Sequence, residues 1–217
     1  MDKISYEEES QLVEIPTNLG IIIDMKYPKL GMKNAINKCL VRKEVLDMLL
    51  DAKNNLPDGY TFKIWDAYRP FELQKELYYK YKNQIIETFK LEKLSKERQN
   101  EIIKNYVSLP IKDEEMPPLH TTGGAIDLTV VNLKTGEDLD MGIGFDEFSN
   151  LTSIDAYEKE GMDETIKNNR RILYNAMIKA GFTNLPSEVW HYDYGDRAWA
   201  FYTKKQAIYK GIYELKQ

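Results

Sequence analysis

Strand and helix patterns alternate irregularly along the 217 residues, with no regular βαβ rhythm and no glycine-rich phosphate loop. Segment 20–25 (GIIIDM) reads as a short buried strand. Segments 60–68 and 125–132 alternate as strands, and 188–194 and 199–203 read as closing strands. Apolar spacing predicts an amphipathic helix over 35–54. A second helix, 71–89, opens behind Pro70. A third, 91–109, is dense in mixed charge and reads as a solvated face. A fourth, 163–180, has Gly181 as its cap. Pro57-Asp58-Gly59 and Lys134-Thr135-Gly136-Glu137 are turns, and 112–118 is a proline-bearing loop. Together these predict an α+β fold with a central, mainly antiparallel sheet flanked by helices. With no internal repeat or linker, residues 1–217 read as a single domain.

Composition removes several function classes. Lys and Arg total 30 against 35 Asp and Glu, a net charge of −5, so no basic surplus is available to hold a nucleic-acid backbone. The longest apolar runs, such as 19–24, fall far short of the roughly 20 residues that span a bilayer. The acidic start, MDKISYEEES, lacks the basic and apolar regions of a secretory signal. The single cysteine, Cys39, excludes an internal disulfide and reads as a core residue. The expectation is a cytoplasmic protein without nucleic-acid or membrane partners.

Any histidine chemistry must fall on His120 and His191, the only two in the chain. His120 precedes the Gly123-Gly124 pair, and Asp127 follows within the 125–132 strand. There Ile126, Leu128 and Val130 share one face, and Asp127 shares the other with Thr129. A carboxylate among apolar neighbours needs a partner, and a metal cation is one. The glycine pair lets the chain fold back far enough to bring His120 beside Asp127. His191 lies three residues beyond Glu188, a spacing that on a regular strand would face opposite ways, so the backbone must bend if both serve one site. Two imidazoles and one carboxylate match the three-ligand zinc site of a hydrolase. Zinc lowers the pKa of a bound water to about 7, and Glu188 is placed to take its proton and pass it to a leaving amine. Arg69, held extended by Pro70, presents a permanent cation suited to an oxyanion. Taken singly, each has a structural reading: Arg69, for one, can pair with a core carboxylate such as Asp66.

These segments resemble the zinc D-alanyl-D-alanine dipeptidases, the VanX-like branch of the LAS metallopeptidases. The matches to Ser-x-His-x-x-Gly-x-Ala-x-Asp are His120, Gly123, Ala125 and Asp127; those to Glu-x-Trp-His are Glu188, Trp190 and His191. Trp65-Asp66-Ala67-Tyr68-Arg69-Pro70 resembles W-D-G-Y-R-P, and Asp24-Met25-Lys26-Tyr27 resembles D-x-K/R-Y. Met141-Gly142 with Phe145-Asp146 resembles M-G-x-x-F-D, and Asn169-Arg170-Arg171 and Gly181-Phe182 also fit. The resemblance implies a hedgehog/DD-peptidase-like fold with one Zn2+ per chain on the central sheet, held by His120, Asp127 and His191. It implies Glu188 as general base and Arg69 as stabiliser of the intermediate. It implies Asp146 and Tyr27 as the grip on the free ammonium of a small D,D-dipeptide. It leaves a homo-oligomer open, and a D,D-carboxypeptidase or L,D-peptidase of the same superfamily is the alternative activity. Pro118 stands where the family has serine, Val189 where it usually has tryptophan, and 32–37 lacks the family's N-F-T-G pattern.

Overall fold

The structure is a computed structural model that describes residues 11–113, 116–147 and 149–215; segment 1–10, read above for a secretory signal, lies outside them. Its centre is a five-stranded sheet ordered β2-β4-β5-β7-β6, formed by β2 (Ile22–Ile23), β4 (Tyr60–Asp66), β5 (Ala125–Asn132), β7 (His191–Asp193) and β6 (Thr183–Asn184). Only the β2–β4 pair is parallel, so the expected mainly antiparallel sheet is what forms. A separate antiparallel ribbon pairs β1 (Leu12–Glu14) with β3 (Leu40–Arg42).

The apolar face of β5 decides the main core. Ile126, Leu128 and Val130 are all fully buried. They form one cluster with Val45, Leu49 and Ala52 of α2 (Lys43–Asn54) and with Leu173, Ala176 and Met177 of α5 (Glu164–Lys179). Burying a leucine of this kind contributes about 1.5–3 kcal/mol. Asp163 caps α5, accepting from the Thr165 and Ile166 amides. Gly181 ends it at φ +99°, where the Gly181 and Phe182 amides reach back to the Ile178 and Met177 carbonyls. Cys39 is buried in the same core and free.

A second core lies against α3 (Phe71–Thr88) and α4 (Lys96–Ile103). Leu73, Leu77, Tyr81 and Ile85 recur every four residues along α3 and pack on Leu91, Ile103 and Val107, with Tyr27 from the short helix α1 (Lys26–Lys29). The charges of this region point outward, as expected.

Four expected elements differ. The helix predicted from residue 35 begins only at Lys43, because 40–42 pair with β1 and 33–34 are pinned to α3 through Glu76. The single helix predicted over 91–109 is reduced to α4, which Ser95 caps through the Arg98 amide, and 104–109 runs on towards the site. Only three residues of 188–194 are strand. Segment 199–203 is not a strand: it lies within α6 (Arg197–Thr203), where Asp196 accepts from the Ala198 and Trp199 amides, a cap that overrides the aromatic strand propensity.

Candidate active site

The polar face of β5 carries the site. Asp127 is the direct register partner of His191 on β7. His120 arrives from a single 3-10 turn, Leu119–Thr122, that Gly123 ends at φ +75°. At Gly124 any side chain would collide with the Tyr194 carbonyl, 2.5 Å from where its Cβ would stand. The glycine pair therefore folds the chain back as the sequence required.

The three side chains converge. His191 Nδ1 lies 3.0 Å from Asp127 Oδ1, His120 Nε2 lies 3.3 Å from Asp127 Oδ2, and the two imidazole nitrogens are 3.2 Å apart. One ligand atom from each falls within 4.8 Å of the others, and all three residues are buried. The outer nitrogens are engaged: His120 Nδ1 meets the Ala67 carbonyl at 2.8 Å, and His191 Nε2 meets Asp193 Oδ1 at 2.9 Å. When those outer nitrogens donate, the inner ones turn their lone pairs on a carboxylate, so acceptors face acceptors unless a positive charge sits between them. Burial alone would raise the Asp127 carboxyl, yet the two histidines hold it well below the usual range. Burial opposes a charged His191, but Asp193 and Asp127 push its pKa well up. The three residues could hold a metal ion between them, and their donor set is that of a catalytic zinc centre.

Glu188 sits in a turn rather than on the strand. Its amide donates to the Leu185 carbonyl at 2.9 Å, and its own carbonyl accepts from His191 at 3.3 Å. That turn supplies the bend the three-residue spacing demanded and places Glu188 Oε2 3.8 Å from His191 Nδ1. Burial pushes the Glu188 carboxyl up to about 8, with Asp127 and Asp146 adding to the rise and His191 and Arg69 opposing it.

Arg69 makes the structural pairing with Asp66 and also lies beside the cluster. Its Nε donates to Asp66 Oδ2 at 2.9 Å and its Nη1 to Gln74 Oε1 at 2.8 Å. Its Nη2 donates to the Tyr27 hydroxyl at 3.2 Å and stands 3.7 Å from Asp127. Tyr27 and Tyr81 in turn each donate to Asp146 Oδ2 at 2.8 Å. Asp146 adopts φ +52°, an uncommon conformation for a side-chain-bearing residue. Arg170 steadies its loop by donating to the Met141, Leu151 and Ser153 carbonyls. Burial pushes the Asp146 carboxyl up to about 6 against the pull of Arg69 and the two tyrosines.

All seven residues singled out in the sequence line one cavity of about 60 Å3. Sequence reasoning missed Asp193, Tyr81 and Gln74. Asp193 had a signal, since two residues beyond His191 on a strand is the same face. Tyr81 and Gln74 had none beyond the helical stripe. Pro118 opens the 3-10 turn that carries His120, and Val189 packs against Trp65 and Trp190.

A buried pair of histidines and an aspartate on a mainly antiparallel sheet, with a carboxylate and a guanidinium beside them, defines a metallopeptidase. The model of the Peptidase_M15 family, described as D-ala-D-ala dipeptidase, matches residues 29–210, and the chain belongs to that family. A D-alanyl-D-alanine dipeptidase of Synechocystis is 29% identical over 178 residues, covering 75% of this chain and 72% of that protein. One of Enterococcus faecalis is 29% identical over 160 residues, covering 72% and 74%. Among solved structures, VanYB in complex with D-Alanine-D-Alanine is 15% identical with a TM-score of 0.47, covering 94% of this chain and 88% of that one.

Proposed function

We propose that residues 1–217 form one catalytic domain that hydrolyses D-alanyl-D-alanine to two D-alanines, with one Zn2+ held by His120, Asp127 and His191. The reading rests on one observation above all. A partly buried carboxylate suited to an ammonium group, Asp146, and the His–Asp–His cluster line the same small cavity. A free dipeptide can place its amino end on Asp146 and its peptide carbonyl at the cluster. A peptide blocked at that end would set an uncharged group against the Asp146 carboxylate and lose the charged contact, which disfavours the carboxypeptidase alternative.

Zinc, when bound, supplies a Lewis acid for the carbonyl and a water of lowered pKa. The protein's own groups do the rest. Asp146 and Tyr27 bind and orient the ammonium end. Glu188 takes the proton from the attacking water and delivers it to the leaving nitrogen. Arg69, fixed by Asp66 and Gln74, holds Nη2 3.7 Å from Asp127 and offers it to the developing oxyanion in place of the Tyr27 hydroxyl. The dipeptide is a piece of cell-wall precursor chemistry, and the protein works in the cytoplasm. Among the described residues no helix is long and apolar enough to cross a membrane.

The test is release of free D-alanine from D-Ala-D-Ala by the purified protein, with and without a chelator. Chelator-sensitive release restored by zinc is the expected result. Absence of release from the zinc-loaded protein refutes the reading.

A further inference from the structure

The His–Asp–His cluster is backed by a buried acid that the mechanism does not use. The outer nitrogen of His191, Nε2, meets Asp193 Oδ1 at 2.9 Å. Asp193 sits inside the sheet, opposite Ala125 of β5 and Thr183 of β6, and is fully buried. Three residues on, Asp196 is fully buried as well. Its Oδ1 accepts from the Ala198 and Trp199 amides at 2.9 and 3.0 Å. The turn between the two acids is pinned. The Gly195 carbonyl accepts from the Ile208 and Tyr209 amides, and Gly195 holds φ +71°, where a Cβ would run into the Tyr209 ring.

Two oxygens are then left over. Asp193 Oδ2 and Asp196 Oδ2 are both buried, and neither meets a donor among the described residues. No lysine or arginine among the described residues pairs with either acid; His191 is the partner of Asp193. The two carboxyl groups lie within hydrogen-bond reach of each other, and burial together with Asp193 drives the Asp196 carboxyl well above the usual carboxylate range. Two buried carboxylates side by side repel each other and leave both acceptors unpaired, and one proton between them removes both faults. Its place is Asp196. Asp193 already takes an N–H from His191, and an imidazole whose other nitrogen binds a metal is the stronger donor. The amides on Asp196 engage Oδ1, which leaves Oδ2 to carry the proton.

We propose that Asp196 is a positioning residue for His191: it stays protonated and donates from Oδ2 to Asp193 Oδ2, holding the Asp193 carboxylate in the orientation that accepts from the imidazole. The chain of hydrogen bonds runs from the first amides of α6 through Asp196 and Asp193 to the ring. Asp196 acts only through Asp193. The proposal rests on the zinc reading above and deepens it.

The plainer role, a cap for α6, ranks variants differently. Serine caps a helix about as well as aspartate, but a single hydroxyl engaged by the amides does not also reach Asp193. Asparagine does both: its carbonyl oxygen accepts from the amides, and its NH2 group donates to Asp193 Oδ2 as the protonated acid does. Zinc affinity is measured by chelator competition. Asp196→Asn is expected to bind zinc within about twofold of the parent, and Asp196→Ser at least about tenfold more weakly. In an Asp193→Ala background, Asp196→Ser should bring no further loss. The infrared difference between the zinc-loaded parent and Asp196→Asn at pH 8 should show the carbonyl stretch of a protonated carboxylic acid in the parent, a measurement that does not need the serine variant to fold. Equal affinity in the asparagine and serine variants, additive losses with Asp193→Ala, or a carboxylate band in place of the acid band each overturns the proposal. A parent that binds no zinc refutes the zinc reading and this proposal with it.

Discussion

Replacing Asp146 by asparagine should weaken function and strengthen the fold at the same time. The carboxyl is pushed from its usual 3.8 up to about 6, first by burial. Because folding raises this pKa, the folded protein holds the proton more tightly than the unfolded chain. The resulting stability is complete below pH 3.8 and is lost as the pH rises through 6. Above pH 6 the ionised group is a burden of at most about 3 kcal/mol, taking about 1.4 kcal/mol per unit over roughly 2 units. The amide variant does not titrate, and its carbonyl oxygen can still accept from Tyr27 and Tyr81, each 2.8 Å away in the parent. If half of that upper bound is realised, Tm at pH 8 rises by about 3–6 °C for a chain of this size. The gain should shrink between pH 6 and 4 and disappear below. Binding moves the other way: a charged hydrogen bond to the substrate ammonium is worth about 1.5–3 kcal/mol, so KM for D-Ala-D-Ala should rise about 10- to 150-fold with a smaller change in kcat. The assays are thermal denaturation from pH 3.5 to 8 and steady-state kinetics at pH 8. A variant less stable than the parent at pH 8, or an unchanged KM, would refute the assignment of this carboxylate.

Glu188→Gln should lower kcat by at least about 100-fold while zinc content per chain, measured by elemental analysis, stays at one; retained turnover would remove Glu188 from the mechanism. Arg69→Ala should cut kcat by about 100- to 1000-fold and also cost about 3–5 kcal/mol of stability, because Asp66, 2% exposed, loses its partner. Kinetics with urea denaturation separates the two losses, and a change confined to KM would contradict the oxyanion role. Asp193→Asn should weaken zinc binding about 10- to 100-fold in a chelator competition, since His191 Nε2 loses its carboxylate; unchanged affinity would show that Asp193 does not orient the ligand.

What the sequence disclosed depended on how far apart the interacting residues lie along the chain. The β5 strand was legible to the residue, because its alternation records both of its faces. The pairs that line the cavity were legible because His120 with Asp127, and Glu188 with His191, fall within a few residues of each other around a glycine turn and a bend. Strand β3 was hidden: nothing local marks 40–42, and its pairing partner β1 lies some 28 residues upstream. Helix α6 was hidden for the opposite reason, since Trp199–Phe201–Tyr202 carries strand propensity and the deciding signal was the single capping carboxylate of Asp196. The charged stretch 91–109 read correctly as a solvated face, and the neighbouring helix α3 turns another face to the cavity. The stripe that buries Leu73, Leu77 and Ile85 also carries Tyr81 to Asp146, 65 residues away, and Gln74 to Arg69. Helical periodicity reports that such a stripe is buried but not what it is buried against. The end of the cavity that Asp146 and Tyr81 line is therefore a property of packing between α3 and the loop that carries Asp146, and it becomes visible only when the two are brought together.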